Sequence, residues 1–158
     1  MELMSGNEAI AEGAWEAGAN VGVAYPGTPS TETMEEFAKK DGVYAEWCTN
    51  EKVALEVGLG AAAAGAKVLV TMKHVGVNVA ADPLFTAAYT GTGAGAVVIL
   101  AADDPGMYSS QNEQDSRHYA IAAKLPDCSS RRMRQNRWHL QNWPMKSLKS
   151  STRQFFLK

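Results

Sequence analysis

Apolar residues recur along this chain in two periods, and the alternation between them predicts a run of βα units. Ser5 stands three residues before Glu8, the spacing of a capping box. Ala9, Ile10, Ala14 and Ala17 then recur at helical intervals until Gly18. Val21-Gly22-Val23-Ala24-Tyr25 reads as a first short strand. The loop Pro26-Gly27-Thr28-Pro29 leads to Ser30 or Thr31, either expected to cap a second helix. Glu32, Glu35 and Glu36 fall in its opening turns, at the positive end of its dipole. Asp41-Gly42 marks a turn before a second strand, Val43 to Trp47. The helix expected from Glu51 to Ala64 has almost no bulk and contains Gly58 and Gly60. Glycine inside a helix costs roughly 1 kcal/mol relative to alanine, so two of them imply that another element approaches the backbone closely.

A third strand is expected over Lys67 to Met72, followed by the glycine-bearing loop Met72-Lys73-His74-Val75-Gly76. The next helix is expected near Val77 to Tyr89, kinked or delayed by Pro83. Ala96 to Ala101 is a continuous apolar run, as in a strand covered on both faces. A polar loop from Asp103 to Asp115 leads to a last helix over Ser116 to Lys124. Four βα units in succession predict an α/β fold, a parallel sheet flanked by helices on both faces with right-handed crossovers. In such a sheet ligands bind at the carboxyl ends of the strands, where the loops before Glu51, after Tyr25 and after Met72 are expected to meet.

Length and apolar content, 158 residues and 46%, fit one packed domain, but charge divides the chain in two. Residues 1–126 carry 7 Lys and Arg against 16 Asp and Glu; residues 127–158 carry 8 against 1. The tail has no Gly, Ala, Val, Ile or Glu, and no helical or strand period fits it. A basic nucleic-acid arm would have this charge. An out-of-frame translation explains the composition better. When each codon is regrouped from the last base of one and the first two of the next, Trp138 with His139 gives Ala and Met145 with Lys146 gives Glu. One allowed reading of the last portion is LAYEISEKFDTPVLLK, a helix, a turn and an apolar strand, which a continuing α/β domain would need next. Residues 1–126 are therefore expected to be an incomplete domain, and 127–158 a non-native tail produced by a frameshift near Pro126.

Two cysteines, Cys48 and Cys128, have no metal-ligand spacing, so iron–sulfur ligation by this chain alone is excluded. The N-terminus lacks the pattern of a signal peptide, and no apolar run is long enough to span a bilayer; a cytoplasmic protein is expected. Gly91, Gly93 and Gly95 precede a strand rather than follow one, and read as a turn, not a phosphate cradle.

Four segments carry the candidate chemistry: Tyr-Pro-Gly-Thr-Pro-Ser-Thr-Glu (25–32), Asn-Glu-Lys-Val-Ala (50–54), Met-Lys-His-Val-Gly-Val-Asn (72–78), and Asp-Asp-Pro-Gly-Met (103–107) with Ser-Ser-Gln-Asn-Glu-Gln-Asp (109–115). In this order they resemble the N-terminal, pyrimidine-binding domain of the thiamine-diphosphate-dependent 2-oxoacid:ferredoxin oxidoreductases, and within them the indolepyruvate type of α subunit. The resemblance covers about residues 4–126. It implies oxidative decarboxylation of an aryl pyruvate, with electrons passing to ferredoxin and the acyl group to coenzyme A. It also implies a β subunit as partner, and neither nucleic acid nor membrane. Alternatives are another 2-oxoacid oxidoreductase subunit, for pyruvate or a branched-chain acid, or a non-catalytic α/β interaction domain.

Glu51 matches the glutamate that, in this superfamily, hydrogen-bonds N1′ of the aminopyrimidine and drives the ring toward its imino tautomer. The bland alternative is a surface glutamate that complements a helix dipole. Thr28 resembles the threonine that holds the substrate carboxylate, and Gly27 would leave space for an indole or phenyl ring; equally, 26–29 is a plain turn. His74 would contact substrate, and Lys73 would contact cofactor together with Pro26 and Gly76, unless Lys73 and His74 are a solvated pair. The loop 103–115 would line the cleft or a subunit interface. The Gly-Asp-Gly motif and later Asn that grip the diphosphate through a metal are absent from the sequence. Only the pyrimidine half of a thiamine diphosphate site is thus expected, with Mg and [4Fe-4S] clusters implied for the full-length subunit, no metal ligand in this chain, and no turnover by it alone.

Overall fold

The sheet is built from short parallel strands whose side chains serve two cores at once. In a computed structural model, residues 3–128 and 154–157 are described. Strands β1 (Val21–Ala24), β2 (Tyr44–Trp47), β3 (Lys67–Lys73), β4 (Ala96–Ala102), β5 (Asp127–Cys128) and β6 (Gln154–Leu157) alternate with helices α1 (Gly6–Glu16), α2 (Thr31–Ala38), α3 (Glu51–Ala63), α4 (His74–Val79), α5 (Ala81–Thr90) and α6 (Arg117–Ala123). The strand order is β2-β1-β3-β4-β6-β5, parallel throughout. The expected fold class is the observed one.

Successive residues of a strand point to opposite faces, and β3 and β4 use both. Val68, Val70, Met72, Val97 and Ile99 join Leu55, Val77, Leu84 and Ala120 in a core under α3, α4, α5 and α6. Leu69, Val98 and Leu100 join Ile10, Ala11, Met34 and Phe37 in a second core under α1 and α2. This double burial is why β4 is apolar without a break. Edge strand β2 is mostly exposed, and it alternates Tyr, Ala, Glu and Trp instead.

Two glycines are explained by these layers. A side chain at Gly58 would come within 2.9 Å of Val70 and within 3.2 Å of Val68, so α3 lies on the sheet at a distance only glycine allows. Gly22 faces Phe37 in the same way across the other core, at 2.7 Å. Gly60, by contrast, has open space around it, and the expectation of a close approach there is overturned: it lies on the outer side of α3.

Three other local expectations change. The segment after β3 is no loop: the chain enters α4 at His74 directly, so the helix begins before Val77 and breaks at Ala80 rather than at Pro83. Pro83 sits buried in the first turn of α5, where a missing N–H costs no intrahelical bond. Ser30 stands at the N-cap of α2, as one of the two expected residues, but its side chain makes no capping bond to the helix. The Ser30 hydroxyl donates to the Gly27 carbonyl instead, at 2.7 Å. The tail, in which no strand was expected, supplies β5 and β6, and β6 lies beside β4. The basic stretch around Trp138 and Met145, on which the regrouped codons bear, lies outside the described residues.

Candidate functional site

The strand order decides where a ligand cleft forms. From β1 the chain crosses one way to β2 and then the other way to β3, so the connections at the carboxyl ends of β1 and β3 diverge. The crevice at such a reversal is the usual ligand site of an open parallel sheet. The loop 25–30 leaves β1 there and α4 leaves β3, and the two touch: a side chain at Gly27 would meet Cβ of Lys73 at 3.1 Å. The space left by Gly27 is therefore partly filled by the Lys73 stem.

The loop after β1 is stiff. The Thr31 hydroxyl accepts from the Gly27 N–H at 2.9 Å, and Asn7 on α1 donates to the Pro29 carbonyl at 3.0 Å. The same Asn7 accepts from the Thr33 hydroxyl at 2.9 Å, tying α1, the loop and α2 together. Pro26 and Thr28 remain exposed at the rim, and the Thr28 hydroxyl has no intramolecular partner among the described residues.

Glu51 is the first residue of α3, and Asn50 caps the helix by accepting from the Val53 N–H at 2.9 Å. Its residue surface is only 8% exposed. The carboxylate lies against α4: a Cβ placed on Gly76 would stand 2.5 Å from Oε1, 2.6 Å from Cγ and 2.8 Å from Cδ. No hydrogen-bond donor reaches that carboxylate among the described residues. The residue stands beside the unpaired N–H groups that open α3. The side chain is thus packed against α4 rather than extended into solvent.

His74 is fully buried, so it is not half of a solvated pair. Nε2 donates to the Asn112 carbonyl at 2.8 Å, which leaves Nδ1 as a buried ring nitrogen without a partner. Gln114 donates to the His74 carbonyl at 2.6 Å and pairs with Asn78, which also accepts from the Tyr119 hydroxyl. The segment 112–114 is thereby strapped along α4. Asp103 accepts from the Ser116 N–H and hydroxyl at the start of α6, and Asp104 accepts from Ser110. These carboxylates hold the loop in shape.

Glu51, His74 and Gly76 thus converge on α4, while Gly27 and Lys73 meet at the neighbouring crevice with Pro26 and Thr28 on its rim. Sequence reasoning missed Asn7, Asn112 and Gln114. Asn112 acts through a main-chain carbonyl, which leaves no mark on residue type. Among the described residues no group of three or more His, Cys, Asp or Glu is placed to hold a metal, and no helix is long and apolar enough to cross a membrane.

No family model matches the chain. The fold is that of a 2-oxoacid:ferredoxin oxidoreductase component: a 2-oxoglutarate:ferredoxin oxidoreductase from Magnetococcus marinus superposes with a TM-score of 0.79 over 98% of this chain and 28% of that one, at 20% identity. Sequence narrows the class. The chain is 57% identical over 131 residues to indolepyruvate oxidoreductase subunit IorA of Archaeoglobus fulgidus, covering 78% of this chain and 21% of that protein. Subunits of the same name from Methanothermobacter thermautotrophicus and Thermococcus kodakarensis are each 55% identical over 127 residues, with 78% of this chain and 20% of the relative covered. The matched segment is therefore homologous to the indolepyruvate oxidoreductase IorA subunits, and the chain spans about a fifth of the length of the relatives it matches.

Proposed function

We propose that this chain is the pyrimidine-holding portion of a thiamine-diphosphate-dependent oxidoreductase that decarboxylates indolepyruvate or a similar aryl pyruvate. Ferredoxin would take the electrons, coenzyme A the acyl group, and a β subunit would complete the assembly. The observation that carries the reading is Glu51, a residue only 8% exposed at the ligand edge of the sheet, whose carboxylate meets no donor among the described residues. Its oxygens keep a small opening to solvent, so a donor that arrives with a ligand can reach them without displacing a bond within the chain. A protonated ring nitrogen of an aminopyrimidine is a donor of this kind, which is the fit that thiamine requires.

Thiamine diphosphate, when bound, would supply the carbanion-stabilising chemistry that decarboxylation of a 2-oxoacid requires. The residues of this chain have simpler tasks. Glu51 shares a proton with pyrimidine N1′, and Gly76, Lys73 and Pro26 shape the cofactor's surroundings. Thr28, with its free hydroxyl at the rim, binds the substrate carboxylate. Gly27, with the Lys73 stem against it, bounds the space for the aromatic group; His74, fully buried and covered by Asn112 and Gln114, has no open face to offer substrate, contrary to expectation. The metal clamp on the diphosphate and the iron–sulfur ligands belong, on this reading, to the rest of the subunit.

The test is Glu51→Gln in the enzyme carrying the whole subunit. Glutamine keeps the size of the side chain but cannot take up the proton. Turnover is expected to fall by about 10²–10⁴-fold, the usual worth of a positioned acid or base, with the thermal unfolding midpoint retained. Undiminished turnover would sink the thiamine assignment. Full activity with pyruvate but little with indolepyruvate would move the substrate class.

A further inference from the structure

We infer that Gly76 is a positioning residue for Glu51: the bare α4 backbone is the wall against which the carboxylate rests, and a side chain there evicts it. The inference rests on the thiamine reading only for its functional meaning; the contact itself is geometric.

A methyl group at position 76 would overlap three Glu51 atoms, at 2.5 Å from Oε1, 2.6 Å from Cγ and 2.8 Å from Cδ. Turning the carboxyl group about its own bonds relieves the first and last of these but not the Cγ contact, which is set by the torsion next to the backbone. Relief therefore requires the whole side chain to swing to another rotamer, taking the carboxylate away from α4. Glu51 cannot retreat by shifting its backbone, because that backbone opens α3, which Asn50 caps and Gly58 holds flush on the sheet. Nor is Gly76 required by a left-handed conformation. It has no positive φ and sits in the first turn of a helix, where alanine is otherwise the better residue. Its smallness answers to Glu51 alone among its nearest neighbours.

The sign of a substitution tests this. In an ordinary helical position Gly→Ala raises the thermal midpoint; here Gly76→Ala is expected to lower it. Glu51→Ala removes Oε1, Cγ and Cδ together, so in that background Gly76→Ala is expected to turn neutral or stabilising. Should Gly76→Ala alone fail to fold, recovery of folding in the double variant supports the positioning role equally well. An equal loss in both backgrounds, or a gain in the unsubstituted chain, overturns the inference. So does failure to fold in both backgrounds. A second readout, which loss of stability does not move in this way, is the ¹³C resonance of the Glu51 carboxyl carbon in the folded protein. Gly76→Ala is expected to shift it toward the position of a water-exposed glutamate, and an unmoved resonance overturns the positioning role. Free thiamine added to the unsubstituted chain separates the two readings: if it leaves that resonance unchanged, the cofactor assignment is weakened while the pair of backgrounds still reports on Gly76.

Discussion

Cys48 closes β2 two residues before the α3 cap, and its surroundings say how reactive it is. Burial, and then the negative charge of Glu46, push its thiol above the ordinary value. The thiolate is the nucleophile, so the folded protein is expected to alkylate slowly at a pH where a free cysteine reacts readily. The sign for stability follows. An unfolded thiol ionises first, so stability is intact below the ordinary thiol value and declines as pH rises toward the raised one. Iodoacetamide labelling of a Cys128→Ser variant at about pH 8.5, near the ordinary thiol value, with and without denaturant, checks this; equal rates would refute it. At this scale the sequence was informative where chemistry needs a side chain. Glu51 was legible because a carboxylate opens a helix of small residues directly after a strand. The partner that fixes it was not, because Gly76 acts by lacking a side chain. Likewise His74 read as a loop residue, since nothing in the residue types around it tells that Asn112 and Gln114 return through space to cover it.

Among the elements, α3 shows how a helix can be weak by propensity and still serve as the floor of a site. Gly58 and Gly60 look equivalent in the sequence, but only Gly58 faces the sheet. A methyl group there would press on Val70 and Val68, whose strand is held from both sides, and overpacking a tight core costs about 1–3 kcal/mol. Gly58→Ala is expected to destabilise by that order, whereas Gly60→Ala, in open space, is expected to stabilise by up to about 1 kcal/mol. Chemical denaturation of the two single variants decides it, and the same sign for both would contradict the packing described. The βα alternation, the buried β4 and the placement of most element ends were readable because strand and helix periods differ. The strand order was not readable. Local pattern says nothing about β1 lying between β2 and β3, yet that order creates the crevice where Gly27 meets Lys73. The split of α4 from α5 was also hidden, since Pro83 drew the expected break toward itself while the chain broke at Ala80.

For the molecule as a whole, the question is why a chain so consistent up to Pro126 changes its composition afterwards while the sheet continues. Sequence similarity to the IorA relatives covers 78% of the 158 residues, about 123, close to the length that precedes the tail. Likeness of fold to the 2-oxoglutarate enzyme covers 98%. We infer that residues from about 127 onward are read in a shifted frame, a reading that accounts for the first figure. Gln154–Leu157 forms β6 against β4, and in the regrouped reading the same bases give Val-Leu-Leu followed by Lys. Phenylalanine and leucine codons are rich in thymine, and a shift by one base leaves them coding for apolar residues. A strand that needs only an apolar run beside β4 thus survives the shift. The same shift accounts for the loss of Gly, Ala, Val, Ile and Glu from the tail. The nucleotide sequence is expected to show one base gained or lost near the codon for Pro126. Restoring it should give, from about residue 127 onward, residues similar to those of the IorA subunits. An unbroken frame with the same tail in near relatives would refute the inference, and the basic tail would then have to be native.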